Sequence, residues 1–317
     1  MHLVTIDDIR AAADRIRGSV VRTPLLPAPW GDPERPLWIK PENLQPIGAF
    51  KVRGAFNAIG RLDEAARAMG VVAYSSGNHA QAVAYAAAAF GIAATIVMPE
   101  ETPHVKVAAT RSHGAEVVLC AAGQREKMAD EVVARTGGVL VPPFDHPDII
   151  AGQGTIGLEI ADDLPDVATV LIPVSGGGLA SGIGTAIKAL CPRARVIGVE
   201  PELAADTAQG LAAGHRVDWP IGERNRTIAD GLRSQPSELT FAHLQRVLDE
   251  VITVSENDIR DAVREIGLRA HLVSEPSGAV ALAGYRTAQT PQGPTVTILS
   301  GGNVEPALLA QIFAGQT

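Results

Sequence analysis

The amino-acid sequence predicts an α/β protein with mostly parallel strands, and three observations support this prediction. The 317-residue chain is 46% hydrophobic but only 4% aromatic, which suits short buried strands under closely packed, alanine-rich helices. Runs rich in β-branched residues alternate with stretches of helical periodicity along the chain. These runs are apolar throughout, as expected for strands that helices cover on both faces.

Eight segments have the length and composition of buried strands. Each is short and mostly aliphatic, and all but residues 115–120 are followed directly by a polar or proline residue that would end a strand. The predicted strands are residues 71–74, 93–98, 115–120, 139–141, 169–174, 196–199, 251–254 and 295–299.

Helical periodicity is clearest in five segments between these strands. They are residues 79–90, 104–113, 125–136, 156–164 and 180–190. Ser255 and Asp258 form a capping-box pattern before residues 259–268, which indicates a further helix start. Residues 214–226 have weak periodicity and are predicted to form a loop. The proline-rich segment 142–147 is a candidate crossover between two sheets.

Charge and cysteine content exclude several classes of protein. The formal net charge is -8, and the basic residues are scattered, so binding to nucleic acid is not expected. Cys120 and Cys191 belong to no metal-binding pattern, and we expect both to be reduced core thiols of a cytoplasmic protein. Residues 1–9 lack the apolar region of a signal peptide, and no apolar run is long enough to cross a bilayer.

Four polar or glycine-rich clusters follow predicted strands, where open parallel sheets bind ligands. They are residues 75–79, 175–179, 200–206 and 300–303. The second cluster contains Gly176, Gly177 and Gly178 before a helix. It could bind a phosphate through backbone N–H groups, or it could simply be a tight turn. The first cluster could bind a carboxylate at a helix N-terminus, or it could be an ordinary helix cap.

Lys51 begins an amphipathic stretch that contains Phe56, Ile59 and Leu62. A lysine in such a position is usually a solvated cation. It could instead be a catalytic amine if burial or a nearby cation lowers its pKa. The residues alone leave both interpretations open.

Taken together and in order, these motifs resemble the fold-type II family of enzymes that depend on pyridoxal 5'-phosphate (PLP). This family includes threonine/serine dehydratases and serine racemases. The resemblance extends from about residue 23 to residue 303 and is strongest at residues 48–57, 75–81, 150–156, 226–232, 275–279 and 299–303. It implies two three-layer αβα domains with mostly parallel sheets: a large PLP-binding domain of residues 1–69 and 147–317, and a small mobile domain of residues 70–146. It also implies a homodimer.

The resemblance assigns cofactor roles to individual residues. Lys51 would bind PLP covalently, Asn78 would hydrogen-bond the ring hydroxyl, and Ser300 would face the pyridine nitrogen. Asn303 would orient Ser300, and Gly231 would make a backbone contact near the ring. The implied cofactor-binding set is Phe50, Lys51, Asn78, Gly176, Gly177, Gly178, Leu179, Gly231, Ser300 and Asn303.

The first cluster would hold the carboxylate of the substrate. The implied substrate-binding set is Ser75, Ser76, Gly77, Asn78 and His79. Lys51 and Ser76 are the implied catalytic residues, on opposite faces of the cofactor. The freed amine of Lys51 would remove the α-proton, and a proton donated by Ser76 to the other face would invert the configuration.

A third part of the resemblance concerns Glu200, Ala204 and Asp206, which match the divalent-cation site of serine racemases and related dehydratases. Two carboxylates and the Ala204 carbonyl would suit Mg²⁺, whereas an acidic helix start is the alternative interpretation.

The chain also departs from the family pattern. Ala49 stands where many relatives have serine, and Pro142 replaces a histidine.

The resemblance implies a PLP-dependent threonine/serine dehydratase, also called an ammonia-lyase. Such an enzyme converts a β-hydroxy amino acid into a 2-oxo acid and ammonia by β-elimination. One alternative within PLP chemistry is a serine racemase or a dehydratase of 3-hydroxyaspartate or phenylserine. An alternative of another class is a non-catalytic α/β module that binds a nucleotide or effector at the glycine turn.

Overall fold

A computed structural model of the chain describes residues 2–315, so the outermost residues of the predicted large domain (1, 316 and 317) lie outside the described range. Within this range there are ten strands, and all eight predicted strands are among them. They are β1 (Leu26–Ala28), β2 (Leu37–Pro41), β3 (Val71–Tyr74), β4 (Ala94–Pro99), β5 (Glu116–Cys120), β6 (Val139–Leu140), β7 (Thr169–Pro173), β8 (Arg195–Pro201), β9 (Glu250–Val254) and β10 (Thr295–Leu299).

The strands form two separate sheets. The first sheet has the order β1-β2-β10-β7-β8-β9, and the second has the order β5-β4-β3-β6. All neighbouring strands are parallel except β1 and β2, which are antiparallel. The predicted α/β class with mostly parallel sheets is therefore confirmed.

Helices connect the strands. Besides four short 3-10 or π turns, fourteen α-helices lie in the described part of the chain: α1 (Ile6–Ile16), α2 (Lys51–Gly60), α3 (Glu64–Met69), α4 (Asn78–Ala89), α5 (His104–Ser112), α6 (Arg125–Thr136), α7 (Pro147–Asp163), α8 (Gly178–Leu190), α9 (Asp206–Ala213), α10 (Ile221–Arg224), α11 (Glu238–Val247), α12 (Glu256–Glu265), α13 (Pro276–Thr287) and α14 (Pro306–Phe313). None of them is long and apolar enough to pass through a membrane.

Helices cover both faces of both sheets. Alternate residues of a strand point to opposite faces of its sheet, so neighbouring strand residues pack against different helices. In the first sheet, Leu171 packs in a cluster with α12 and α13. Its neighbour Val170 packs on the other face with α7 and α8. In the second sheet, Ala73 packs with α4 and Val72 packs with α6. Each sheet is thus the middle layer of three.

The second sheet lies wholly within residues 70–146, since its strands run from Val71 to Leu140. The segment from 141 to 146 then leads from β6 to α7, which packs on helices of the first sheet. This is the crossover that the proline-rich segment suggested. The division into two domains and the mobility of the smaller one stay predictions.

The structure differs from the predicted secondary structure at the start of α7 and within residues 214–226, and it agrees at the start of α12. The capping box is confirmed, because Ser255 and Asp258 exchange hydrogen bonds at the start of α12. The predicted loop 214–226 contains the four-residue helix α10. The predicted start of a helix at residue 156 was wrong, because α7 already begins at Pro147. Three glycines in α7, at positions 152, 154 and 157, weaken its apparent helical propensity.

Two features fix the position of α2, the helix that begins with Lys51. Helices α2 and α7 cross closely, and a Cβ atom on Gly152 would come within 2.6 Å of the Cα atom of Gly54. The fully buried Arg53 donates hydrogen bonds to Glu42 and to Glu159 on α7. Such charge-assisted bonds have strict geometry, so they restrict the rotation of α2 and the direction of its first turn.

Candidate active site

A cavity of about 360 Å³ lies between the carboxyl ends of strands from the two sheets. Its volume is within the range of small-molecule sites. Every residue of the predicted cofactor and substrate sets lines this cavity, including Lys51, Ser76 and Ser300. The predicted metal residues do not line it. Segments that are far apart in the sequence thus converge on one site.

The side-chain amine of Lys51 is held inside this cavity. Lys51 is the first residue of α2, and its Nζ donates a 2.7 Å hydrogen bond to the carbonyl oxygen of Pro143. The same Nζ lies 5.1 Å from the centroid of the Phe50 ring. Burial lowers the pKa of Lys51 to about 8. An amine with this pKa is partly neutral near neutral pH, which a nucleophile or a general base requires.

The glycine turn joins β7 to α8, and α8 begins at Gly178. Gly177 has a φ of +87°, a conformation that favours glycine. A Cβ atom on Gly176 would overlap the ring of Phe144. The turn therefore needs glycine at both positions, and its glycines line the cavity at the start of α8. This arrangement fits a phosphate group.

Asn78 connects the two sides of the cavity. Its Nδ2 donates to Oε1 of Glu275 at 2.7 Å, and its Oδ1 accepts from Nδ2 of Asn303 at 2.8 Å. Asn303 also donates to the carbonyl oxygen of Ile47 at 2.8 Å. The side chain of Asn303 is thus bonded to Asn78 and Ile47, whereas the family resemblance had suggested that it orients Ser300.

The predicted carboxylate-binding loop, residues 75–79 and called the carboxylate loop below, precedes and begins α4. Ser75 accepts a hydrogen bond from the backbone N–H of Gly77 through its Oγ, which shapes the turn. His79 is buried and its Nε2 lies 2.8 Å from the carbonyl oxygen of Val141. Burial and the nearby Lys51 lower the pKa of His79 to about 3. His79 is therefore neutral, and it anchors the loop to the segment that follows β6.

Gly231 lies in a short helical turn, residues Asp230–Leu232, on the cavity wall. Its backbone N–H donates a 2.9 Å hydrogen bond to Oγ of Ser277, at the start of α13. This bond holds the Gly231 backbone against the wall of the site. Beside it, Asp230 pairs with Lys106 of α5 at 3.1 Å.

Glu200 and Asp206 form a separate buried acidic pair at the end of β8 and the start of α9. Both oxygens of Glu200 accept backbone N–H bonds, from Thr207 and Ala208. Burial and the neighbouring Asp206 raise the pKa of Glu200 to about 8. Oδ2 of Asp206 is buried without a hydrogen-bond partner in the described structure. An unpartnered buried carboxylate oxygen next to a second carboxyl fits a hard cation such as Mg²⁺.

The sequence did not single out three participants in this site. Glu275, Pro143 and Phe144 all line the cavity. Glu275 opens one of the segments in which the family resemblance is strongest, and the other two lie in the proline-rich crossover. Their positions in these segments were the available sign. Residue 275 follows no predicted strand, and the proline-rich segment after the predicted strand 139–141 was interpreted only as a crossover.

Comparison with known proteins identifies the family. The family model described as "Pyridoxal-phosphate dependent enzyme" matches residues 16–301. The chain belongs to this family. The fold agrees, since the solved structure of maize serine racemase superimposes with a TM-score of 0.92 at 37% identity, covering 99% of this chain and 98% of that one. The predicted fold-type II class of this PLP-dependent enzyme is confirmed.

Two curated relatives show the range of activities among similar proteins. The catabolic L-threonine dehydratase of Escherichia coli strain K12 is 41% identical over 98% of this chain and 96% of its own length. The L-threo-3-hydroxyaspartate ammonia-lyase of Saccharomyces cerevisiae is 37% identical over 100% of this chain and 98% of its own length. The family favours an enzyme over the non-catalytic module that the glycine turn alone had left open.

Proposed function

We propose that this PLP-dependent enzyme is a threonine/serine ammonia-lyase, which converts a β-hydroxy amino acid into a 2-oxo acid and ammonia. The observation that carries the proposal is the position of the Lys51 amine, which lies in the same cavity as the glycine turn and the carboxylate loop. The similarity to threonine dehydratases over nearly the whole chain supports this substrate class.

In this proposal PLP is held by groups that the cavity already presents. The backbone N–H groups of residues 176–179 would bind its phosphate, and Phe50 and Ser300 would contact its ring. When bound, PLP withdraws electrons from the α-carbon of an attached amino acid. Asn78 has one side-chain N–H group left over, because its other amide hydrogen and its oxygen are engaged by Glu275 and Asn303. That remaining donor would be available to an oxygen of the bound cofactor.

Lys51 supplies the covalent attachment and then the base. Its depressed pKa leaves about a tenth of the amine neutral at pH 7. The carbonyl oxygen of Pro143 accepts from Nζ, so the free amine keeps a defined position while it removes the α-proton. The loop of residues 75–79 holds the substrate carboxylate through backbone N–H groups at the start of α4. Closure of the smaller domain would exclude water during the elimination.

A substrate panel tests this function directly. The purified enzyme, saturated with PLP, is given L-threonine, L-serine, threo-3-hydroxyaspartate and phenylserine, and the 2-oxo acid is measured. We expect the highest kcat/KM with L-threonine or L-serine. A higher value with 3-hydroxyaspartate or phenylserine would reassign the substrate, and no 2-oxo acid from any of them would refute the lyase.

Racemisation is a second candidate activity, because Ser76 lines the cavity with Lys51 and carries a hydroxyl that can donate a proton. We expect Ser76→Ala to lower interconversion of L- and D-serine about 100-fold, the usual size of a lost acid or base. Elimination from L-serine should fall far less. Ser75→Ala removes the neighbouring hydroxyl and should affect both activities alike. Equal losses in Ser76→Ala would contradict a face-specific role.

We also propose that Glu200, Asp206 and the Ala204 carbonyl bind Mg²⁺ and stabilise the fold. Adding Mg²⁺ to chelator-treated protein should raise the Tm by about 2–4 °C, because a ligand of the folded state alone stabilises it. Asp206→Asn should remove this response, whereas Glu202→Gln, which changes an exposed acid in the same segment, should keep it. The same Mg²⁺ response in Asp206→Asn and the wild type would place the cation elsewhere.

Two further parts of the proposal rest on family resemblance. We propose that the enzyme is a cytoplasmic homodimer, whose mass light scattering would measure. Both cysteines are free and buried, which is compatible with a reducing compartment.

A further inference from the structure

Glu275 is a buried carboxyl in the wall of the cavity that the proposed mechanism does not use. It precedes α13 and is only 6% exposed. No ion pair of the described residues includes Glu275. A Cβ atom on Gly301 would overlap its Oε1 atom. A buried carboxyl without a cation is costly, so this position calls for a specific role.

The hydrogen bonds of Asn303 determine which end of the Asn78 amide faces Glu275. Both N–H groups of the Asn303 amide are committed, one to Ile47 and one to the oxygen of Asn78. The amide of Asn78 therefore points its nitrogen toward Glu275, which accepts at 2.7 Å. The backbone N–H of Asn303 lies near enough to the Glu275 carboxyl to lower its pKa. Glu275 thus accepts a hydrogen bond from Asn78 and has a second donor nearby.

We infer that Glu275 is a positioning residue, which fixes the Asn78 amide so that the amide presents an N–H donor, and never its oxygen, to the bound cofactor. This inference rests on the proposed function. Asn78 begins α4 beside the second sheet, whereas Glu275 precedes α13 beside the first. The bond between them therefore also connects the start of α4 to the start of α13.

Glutamine cannot replace Glu275 in this role, although it has the same shape. A carboxyl offers acceptor lone pairs on both oxygens, whereas a glutamine amide has one acceptor oxygen and one NH₂ group. If that oxygen accepts from Asn78, the NH₂ group faces the backbone N–H of Asn303, and two donors meet. An unsatisfied buried donor is destabilising.

The charge on Glu275 adds a pH dependence to this arrangement. Burial, and secondarily the nearby Asp230, raise the pKa of Glu275 to about 7. Lys106 and the hydrogen bonds from Asn78 and Asn303 act in the opposite direction. Glu275 therefore loses its proton as the pH rises through about 7, and its bond to Asn78 then becomes charge-assisted and stronger.

The test measures PLP dissociation constants at pH 6 and pH 8.5 for the wild type, Glu275→Gln and a control. The control is Glu305→Gln, which removes an exposed acid at the edge of the same cavity. At pH 8.5 we expect Glu275→Gln to bind PLP about tenfold more weakly than the wild type, the size of one lost charged hydrogen bond. At pH 6 the difference should shrink, because the wild-type carboxyl is protonated there. Glu305→Gln should match the wild type at both values.

Thermal unfolding of the cofactor-free proteins shows whether Glu275→Gln weakens PLP binding directly or by destabilising the fold. A ratio of dissociation constants that is the same at both pH values, or a Glu275→Gln variant that binds like the wild type, would overturn the inference. So would a loss of affinity that simply follows a loss of the cofactor-free fold. If the wild type itself shows no PLP absorption band, the proposed function fails instead, and the two failures are therefore distinguishable.

Discussion

Replacing Lys51 by alanine is expected to abolish both the visible absorption band of the PLP-loaded protein and its lyase activity. In the proposed function the amine at this position is the nucleophile that attaches the cofactor and the base that removes the α-proton, and alanine can do neither. Loss of a general base alone costs about 10²–10⁴-fold in rate. We therefore expect kcat/KM to fall by at least about a thousandfold. After reduction with borohydride, no PLP should remain covalently attached to the protein.

Lys188→Ala is the matched control for this variant, because Lys188 pairs with Asp249 on the surface of α8, away from the cavity. It should keep the absorption band and the activity. A Lys51→Ala protein that folds normally and is still labelled by borohydride reduction would show that another lysine carries the cofactor. Lys106 would then be the first to examine, since it also lines the cavity.

The strands were predictable because a short apolar run between two helical segments indicates a buried strand. Runs such as β7 are apolar on both faces, and this pattern is typical of a buried parallel strand. The two strands that were missed lack that pattern. β1 contains Pro27, and β2 contains Lys40. Lys40 is fully buried, but it pairs with Glu159 at 2.7 Å, a compensation between distant segments that the local pattern does not show.

The candidate site was predictable in the parts that follow strands, since loops at the carboxyl ends of parallel strands meet. The glycine turn and the carboxylate loop illustrate this, and both line one cavity. The environment of each group was not predictable. The pKa of Lys51 depends on burial by other segments, and the sequence at residues 48–55 does not encode it locally. Glu275 was missed for a similar reason, because its partner Asn78 is 197 residues away.

The second large effect is expected at the glycine turn, where Gly176→Ala should weaken PLP binding about 10- to 100-fold, as an overpacked site costs about 1–3 kcal/mol. The added methyl group would overlap the ring of Phe144. Either the turn or the ring must then move, and the N–H groups that we propose to bind the phosphate would lose their alignment. Equilibrium dialysis or titration of the absorption band measures this loss.

Two further variants show whether the overlap with Phe144 is the cause. Gly222→Ala adds a methyl group where no atom lies within 4 Å and should bind PLP like the wild type. The double variant Gly176→Ala/Phe144→Ala removes the ring that the new methyl group meets, so it should bind PLP more tightly than Gly176→Ala alone. Such coupling is expected only for residues in contact. Additive losses in the double variant would mean that the turn requires glycine for a reason other than the packing of Phe144.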